Sequence, residues 1–151
     1  MKLMQKGLLY MSLNTKLVYA DIKVAKYCNS PLVNLFNDEA LYSNAAYHAE
    51  QATEKCLKLI LSNYYGISET EKRYRTHDIP DLLAYMKECE ANTGKKVPIC
   101  IPEIIEINAI EIKEWEANTR YNDNMVVLRS NITSVISACD IMCRQLEKMG
   151  C

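Results

Sequence analysis

The segment MVVLRSNITSVISACDIMCRQLEKM, residues 125–149, decides the fold. Its apolar residues Met125, Leu128, Ile132, Val135, Cys139, Met142, Leu146 and Met149 recur at alternating spacings of three and four, which places them on one stripe of an α-helix. Such a stripe is either a seam for a partner chain or the inner face of an intramolecular bundle, and in a chain this short the bundle is the expected use. Upstream, Leu41, Ala45, Ala49, Ala52, Cys56 and Leu59 repeat the rhythm. They predict a long helix with Asp38 as its N-cap and an end near Gly66, and its alanines let a neighbouring helix approach closely.

Between these two lies a shorter predicted helix. Asp78 caps it, Asp81 is placed to return the capping bond, Pro80 fits the first turn, and Leu82, Leu83 and Met86 face inward. Asn92-Thr93-Gly94 ends it. The next stretch, EIIEINAIEIKEWEANTR at residues 103–120, alternates at Ile105 and Ile107 and again at Ile110 and Ile112, a strand-like feature. Its glutamates, Pro102 at its start and about 17 residues without a turn signal favour a helix. A helix from Thr15 to Tyr27, with Val18, Ile22 and Ala25 on one side, completes the set. With no repeat, linker or low-complexity tract, residues 1–151 are expected to form a single domain, an all-α, antiparallel up-and-down bundle of four to five helices.

Bulk composition narrows the function classes. Only four Gly and four Pro in 151 residues favour a few long helices over many turns. Eighteen basic against 19 acidic residues exclude a general electrostatic grip on nucleic acid and leave only a local basic patch. The seven cysteines contain no C-x-x-C pair, and only two histidines are present to join them, so no metal or other cofactor is expected. Free Cys on apolar helix faces acts as a small hydrophobe, which points to a reducing, cytoplasmic setting. No stretch is long enough to span a bilayer, and the opening MKLMQKGLLYMSLN lacks the apolar length and cleavage site of a signal peptide. The sequon Asn131-Ile132-Thr133 is therefore expected to carry no sugar.

Two polar segments stand out. Lys72-Arg73-Tyr74-Arg75-Thr76-His77-Asp78 gathers three cations, an aromatic and a histidine ahead of a capped helix, whose free N–H groups favour a phosphate and whose Tyr74 can stack on a base. The plainer interpretation is a solvated loop in which His77 and Asp78 only terminate and cap. Glu50, Gln51, Glu54, Lys55 and Lys58 share the long helix, with Glu54 and Lys58 a favourable i,i+4 pair. Sets like this are usually a solvated helix face.

The context of that second set carries more. Tyr47-His48-Ala49-Glu50-Gln51-Ala52-Thr53-Glu54-Lys55-Cys56-Leu57-Lys58 resembles the "haeQAaEKalKa" helix of the HEPN family. Thr76-His77-Asp78-Ile79-Pro80-Asp81-Leu82-Leu83 is similar to its "tHdlpeLl" helix start, and Thr119-Arg120-Tyr121-Asn122 to its "aRYpd" turn before the last helix. The resemblance implies a helical bundle, often a homodimer, in a family associated with RNA cleavage or nucleotide binding in toxin-antitoxin, defence and nucleotidyltransferase-linked systems.

Catalytic members of that family carry an Arg followed after about four to six residues by a His, the His to move protons and the Arg to stabilise charge on phosphate. Here the matching Arg120 is followed at the required positions by Met125, Val126 and Val127, and no histidine occurs after His77. Arg73 lies too close to His77, and Lys72 has the spacing without the planar fork. The expectation is a binding or partner domain for nucleotide or RNA without the usual ribonuclease site. Its candidate ligand residues are His77, Arg120 and Tyr121, with Lys55, Arg73 and Arg75 as further phosphate contacts. Arg120 and Tyr121 serve equally well as a helix-junction cap and packing residue, and Trp115 is expected in the core or a dimer interface. The alternatives are a metal-independent endoribonuclease rearranged around His77 and Arg120, and an interaction module that pairs with a nucleotidyltransferase.

Overall fold

The computed structural model of the protein describes residues 13–31, 39–115 and 129–151. Every regular element among them is helical: α1 (Thr15–Cys28), α2 (Glu39–Leu59), α3 (Ile79–Thr93), α4 (Glu103–Ile107), α5 (Ala109–Glu114) and α6 (Arg129–Lys148). The expected all-α bundle is what forms. Asn14 starts α1 by accepting the N–H groups of Lys16 and Leu17 on its side chain, at 2.9 and 3.4 Å. Asp38, expected to cap α2, lies outside the described residues. At its other end α2 widens into a π-helical turn, Ile60–Tyr64, and Gly66 then takes the left-handed φ of +68° that closes the helix.

The predicted cap of α3 is present, since Asp78 accepts the Asp81 N–H at 2.9 Å. Asp81 does not return the bond; its carboxylate is used by Arg73, at 3.2 Å. Gly94, at φ +68°, ends α3 and gives its N–H to Glu90. The single helix expected after Pro102 is broken at Asn108. There both the backbone N–H and the side-chain amide of Asn108 go to the Ile104 carbonyl, at 3.1 and 3.0 Å, so α4 stops and α5 restarts with the Ile112 N–H on the Asn108 carbonyl.

Helix directions follow from contacts between distant residues. Thr15 N–H meets the Cys151 carbonyl at 3.3 Å, while Asn29 reaches Thr133 at 2.9 Å, so α6 runs antiparallel to α1. The α4–α5 arm runs antiparallel to α6, with Cys100 N–H on Gln145 at one end and Asn131 on Glu111 at the other. It also opposes α3, because Lys113 of α5 binds Asp78 at the start of α3. The connection from 65 to 78 doubles back: Tyr65 holds the Lys95 carbonyl at 2.7 Å, whereas His77 returns to the level of Glu54.

Helix α2 is the centre of the bundle and packs against α1, α3, α5 and α6. Ala45, Ala46, Ala49 and Ala52 are fully buried on it, the small side chains that bring α1 and α6 close. From α6, Ile132, Val135, Cys139, Met142 and Leu146 are fully buried, so this part of the stripe is intramolecular core. Met149 is partly exposed at the helix end, and Met125 and Leu128 lie outside the described residues.

Candidate functional site

A helix surrounded by neighbours buries its polar residues along with its apolar ones. Glu50 and Glu54 on α2 are 0% and 5% exposed, so this part of the helix is not the solvated face its composition suggests. Burying a carboxylate is costly unless it is paired and hydrogen-bonded. Glu54 meets that requirement on both oxygens, taking the Lys58 ammonium at 2.7 Å on Oε1 and His77 Nδ1 at 2.9 Å on Oε2. Asp21 of α1, 7% exposed, does the same, with Lys55 on Oδ2 and His48 Nδ1 at 2.8 Å on Oδ1. An ionised carboxylate only accepts, so in both histidines Nδ1 carries a proton and donates it to the carboxylate.

Of these groups, Glu54, Lys55 and Lys58 border a cavity of about 580 Å³, within the size range of small-molecule sites. Leu13 and Leu17 form its apolar side. Glu54, Lys55 and Lys58 come from α2, and Glu69, Thr70, Tyr74 and Arg75 from the connection between α2 and α3. The Lys58 ammonium stands 5.6 Å from the centre of the Tyr74 ring, a cation–π approach that fixes both. Tyr74 is itself buried, which pushes its phenol above the ordinary range, so it serves as wall rather than as an open stacking platform. Arg75 is exposed and forms no ion pair among the described residues. Cations, an aromatic wall, hydroxyl and carboxylate acceptors and an apolar side together suit a ligand with an anionic group and a less polar body.

The structure divides the sequence candidates. Lys55 and Arg75 line the cavity, and His77 joins it through Glu54. Arg73 points elsewhere: it bridges Asp81 and Glu88 of α3 and lies 4.4 Å from the Tyr85 ring centre, which makes it a strap on α3. Asp78 is held below the usual carboxylate range; its burial acts in the opposite sense and is outweighed by bonds from Lys113 and the Asp81 N–H. Arg120 and Tyr121 lie outside the described residues, and so does any pairing of Arg120 with His77. Trp115 is fully buried, in the core.

Asp21, His48 and the doubly used Glu54 were missed as site residues. A signal existed for Asp21, which shares the apolar face of α1 with Val18, Ile22 and Ala25, where a charge needs a partner. Cys56, Cys139 and Cys143 are fully buried. The bond to Cys139 and burial push the Cys56 thiol well up, and burial pushes Cys143 up to about 12, so neither is a ready nucleophile. Among the described residues no three His, Cys, Asp or Glu side chains are grouped to hold a metal, and no described helix is long and apolar enough to cross a membrane.

Against known protein families, residues 22–148 match the HEPN domain. The chain belongs to the HEPN family. No curated protein and no solved structure shows significant similarity to it. In this HEPN domain the two motif segments at 47–58 and 76–83, separate in sequence, are joined by the bond between Glu54 and His77. That bond also ties the start of α3 to the central helix at the cavity wall.

Proposed function

We propose that this HEPN domain binds a nucleotide or an RNA segment through the cavity beside α2, as a binding or partner domain without the usual family ribonuclease site. The observation that carries the reading is the convergence of Lys55, Lys58 and Arg75 on one cavity with an apolar side. Phosphate contacts of this kind contribute affinity and salt dependence rather than sequence choice. The missing His after Arg120, where Met125, Val126 and Val127 stand, supports binding over cleavage. A homodimer belongs to the same proposal and is supported by Ile107 and Ile110, 69% and 71% exposed on the α4–α5 arm.

The test is anisotropy of a labelled mixed-sequence RNA and of a labelled mononucleotide. A Lys55→Ala, Arg75→Ala variant is expected to bind about tenfold or more weakly, the loss of two charge-assisted contacts, with a shallower salt dependence. Unchanged binding would remove the cavity from the reading. A second reading, the rearranged endoribonuclease, is favoured by His77, whose Nδ1 is held by Glu54 while its side chain is 60% exposed, as a general base requires. Incubating the RNA in EDTA decides it: cleavage by wild type, lost in His77→Ala, Arg120→Ala, would establish that enzyme. Light scattering on the same samples gives the oligomer.

A further inference from the structure

Both histidines of the chain are used in the same way. Each puts Nδ1 on one oxygen of a buried carboxylate whose other oxygen holds a lysine of the cavity: His48 and Lys55 share Asp21 of α1, and Lys58 shares Glu54 with His77 from the connection before α3. Among the described residues, the charges lining the cavity or standing directly behind it balance while the histidines are neutral. Lys55, Lys58 and Arg75 stand against Glu54, Glu69 and the Asp21 carboxylate behind Lys55. Two of these three cations, Lys55 and Lys58, are committed to carboxylates, which weakens their pull on an incoming anion.

We infer that the site takes its anion together with protons: protonation of His77 and His48 compensates Glu54 and Asp21, frees Lys58 and Lys55 to face the ligand, and makes the two histidines determinants of anion affinity. This rests on the cavity being the ligand site proposed above. Histidine is the side chain that changes charge between about pH 8 and 5, and both rings reach solvent, with side chains 60% and 24% exposed. Among the described residues, the groups facing His77 are Glu54 and, through it, Lys58 from α2, Asp78 beside it with Lys113 of α5 bound to Asp78, and Arg75 in its own connection. Facing His48 are Asp21 of α1, Lys55 through that carboxylate, and the Tyr47 ring at 5.2 Å. Anion binding favours the protonated rings, so by reciprocity each protonated ring favours the anion, and affinity rises as pH falls. A charge gained within one side-chain length of the ligand in partly screened surroundings is worth about tenfold in affinity.

The experiment is binding of labelled hexauridylate, whose diester charges do not change in this range, at constant ionic strength from about pH 8 to 5.5. The wild-type Kd is expected to fall about tenfold or more towards the acid end, and the profile to flatten in His48→Asn, His77→Asn, which keeps an N–H at the Nδ1 position for each carboxylate but cannot gain a proton. Calorimetry of the wild type in two buffers of different ionisation enthalpy gives a readout that needs no variant, and net proton uptake on binding is expected. Binding with no proton uptake, or with an equal pH slope in the double variant, overturns the inference and leaves the binding site standing. Absence of binding at every pH overturns both.

Discussion

Replacing Lys58 by Met keeps the length of the side chain and removes its charge from a pair that solvent hardly reaches: the Lys58 and Glu54 side chains are 12% and 6% exposed. Glu54 is then left on the central helix with His77 alone. Breaking a buried pair from one side costs roughly 3–5 kcal/mol because an uncompensated charge remains. Here the low end, about 3 kcal/mol, applies, since His77 still hydrogen-bonds the other oxygen. In a domain of this size that lowers Tm by roughly 6–12 °C. A Glu54→Leu, Lys58→Met double variant should recover much of the loss, since no charge is then stranded. Thermal and urea unfolding of both variants at pH 8, followed by circular dichroism, measures the loss and its recovery. A single variant within about 0.5 kcal/mol of wild type at pH 8, the range of ordinary surface changes, would show that solvent already compensates Glu54. A double variant no more stable than the single one would refute the stranded charge as the cause.

Asp78→Ala removes the cap of α3 and the Lys113 pair and should cost about 1 kcal/mol in urea unfolding at neutral pH. Because the folded Asp78 carboxyl lies below its ordinary value of 3.8, its contribution is complete above that value and is lost as pH falls through the lower folded one, so variant and wild type should converge in acid. Gly94→Ala meets no atom within 4 Å of the added Cβ and is strained only by the φ of +68°, so unfolding measurements should show a loss of about 1–2 kcal/mol, with Gly94→Asn milder. Iodoacetamide followed by mass spectrometry should label the exposed Cys100 first, while buried Cys56, Cys139 and Cys143 react only on unfolding; rapid native labelling of Cys143 would contradict a thiol pushed up to about 12 by burial.

Local chemistry accounts for what could be read from the chain alone. Repeats of three and four, the Asp78 cap and glycines at the ends of α2 and α3 are set by neighbours in sequence, so helix identity and most helix ends were legible. The same holds for the family, since its motifs are short runs on single elements. The break at Asn108 was not legible, because two donors of one residue compete there for one carbonyl in a stretch whose composition suits a continuous helix.

The site depended on distance through space. Glu54 and Lys58 read as a solvated pair until α1, α3, α5 and α6 enclose α2, after which the same carboxylate must find two partners. Lys55 and Arg75 were recognisable as cations, but only the doubled-back connection sets Arg75 at the cavity and turns Arg73 away to α3. The sequence by itself determined the helices, their inner faces and the HEPN membership, because periodicity and capping are local. Tertiary packing alone decided which polar side chains are buried and paired, because desolvation depends on what surrounds a residue in space.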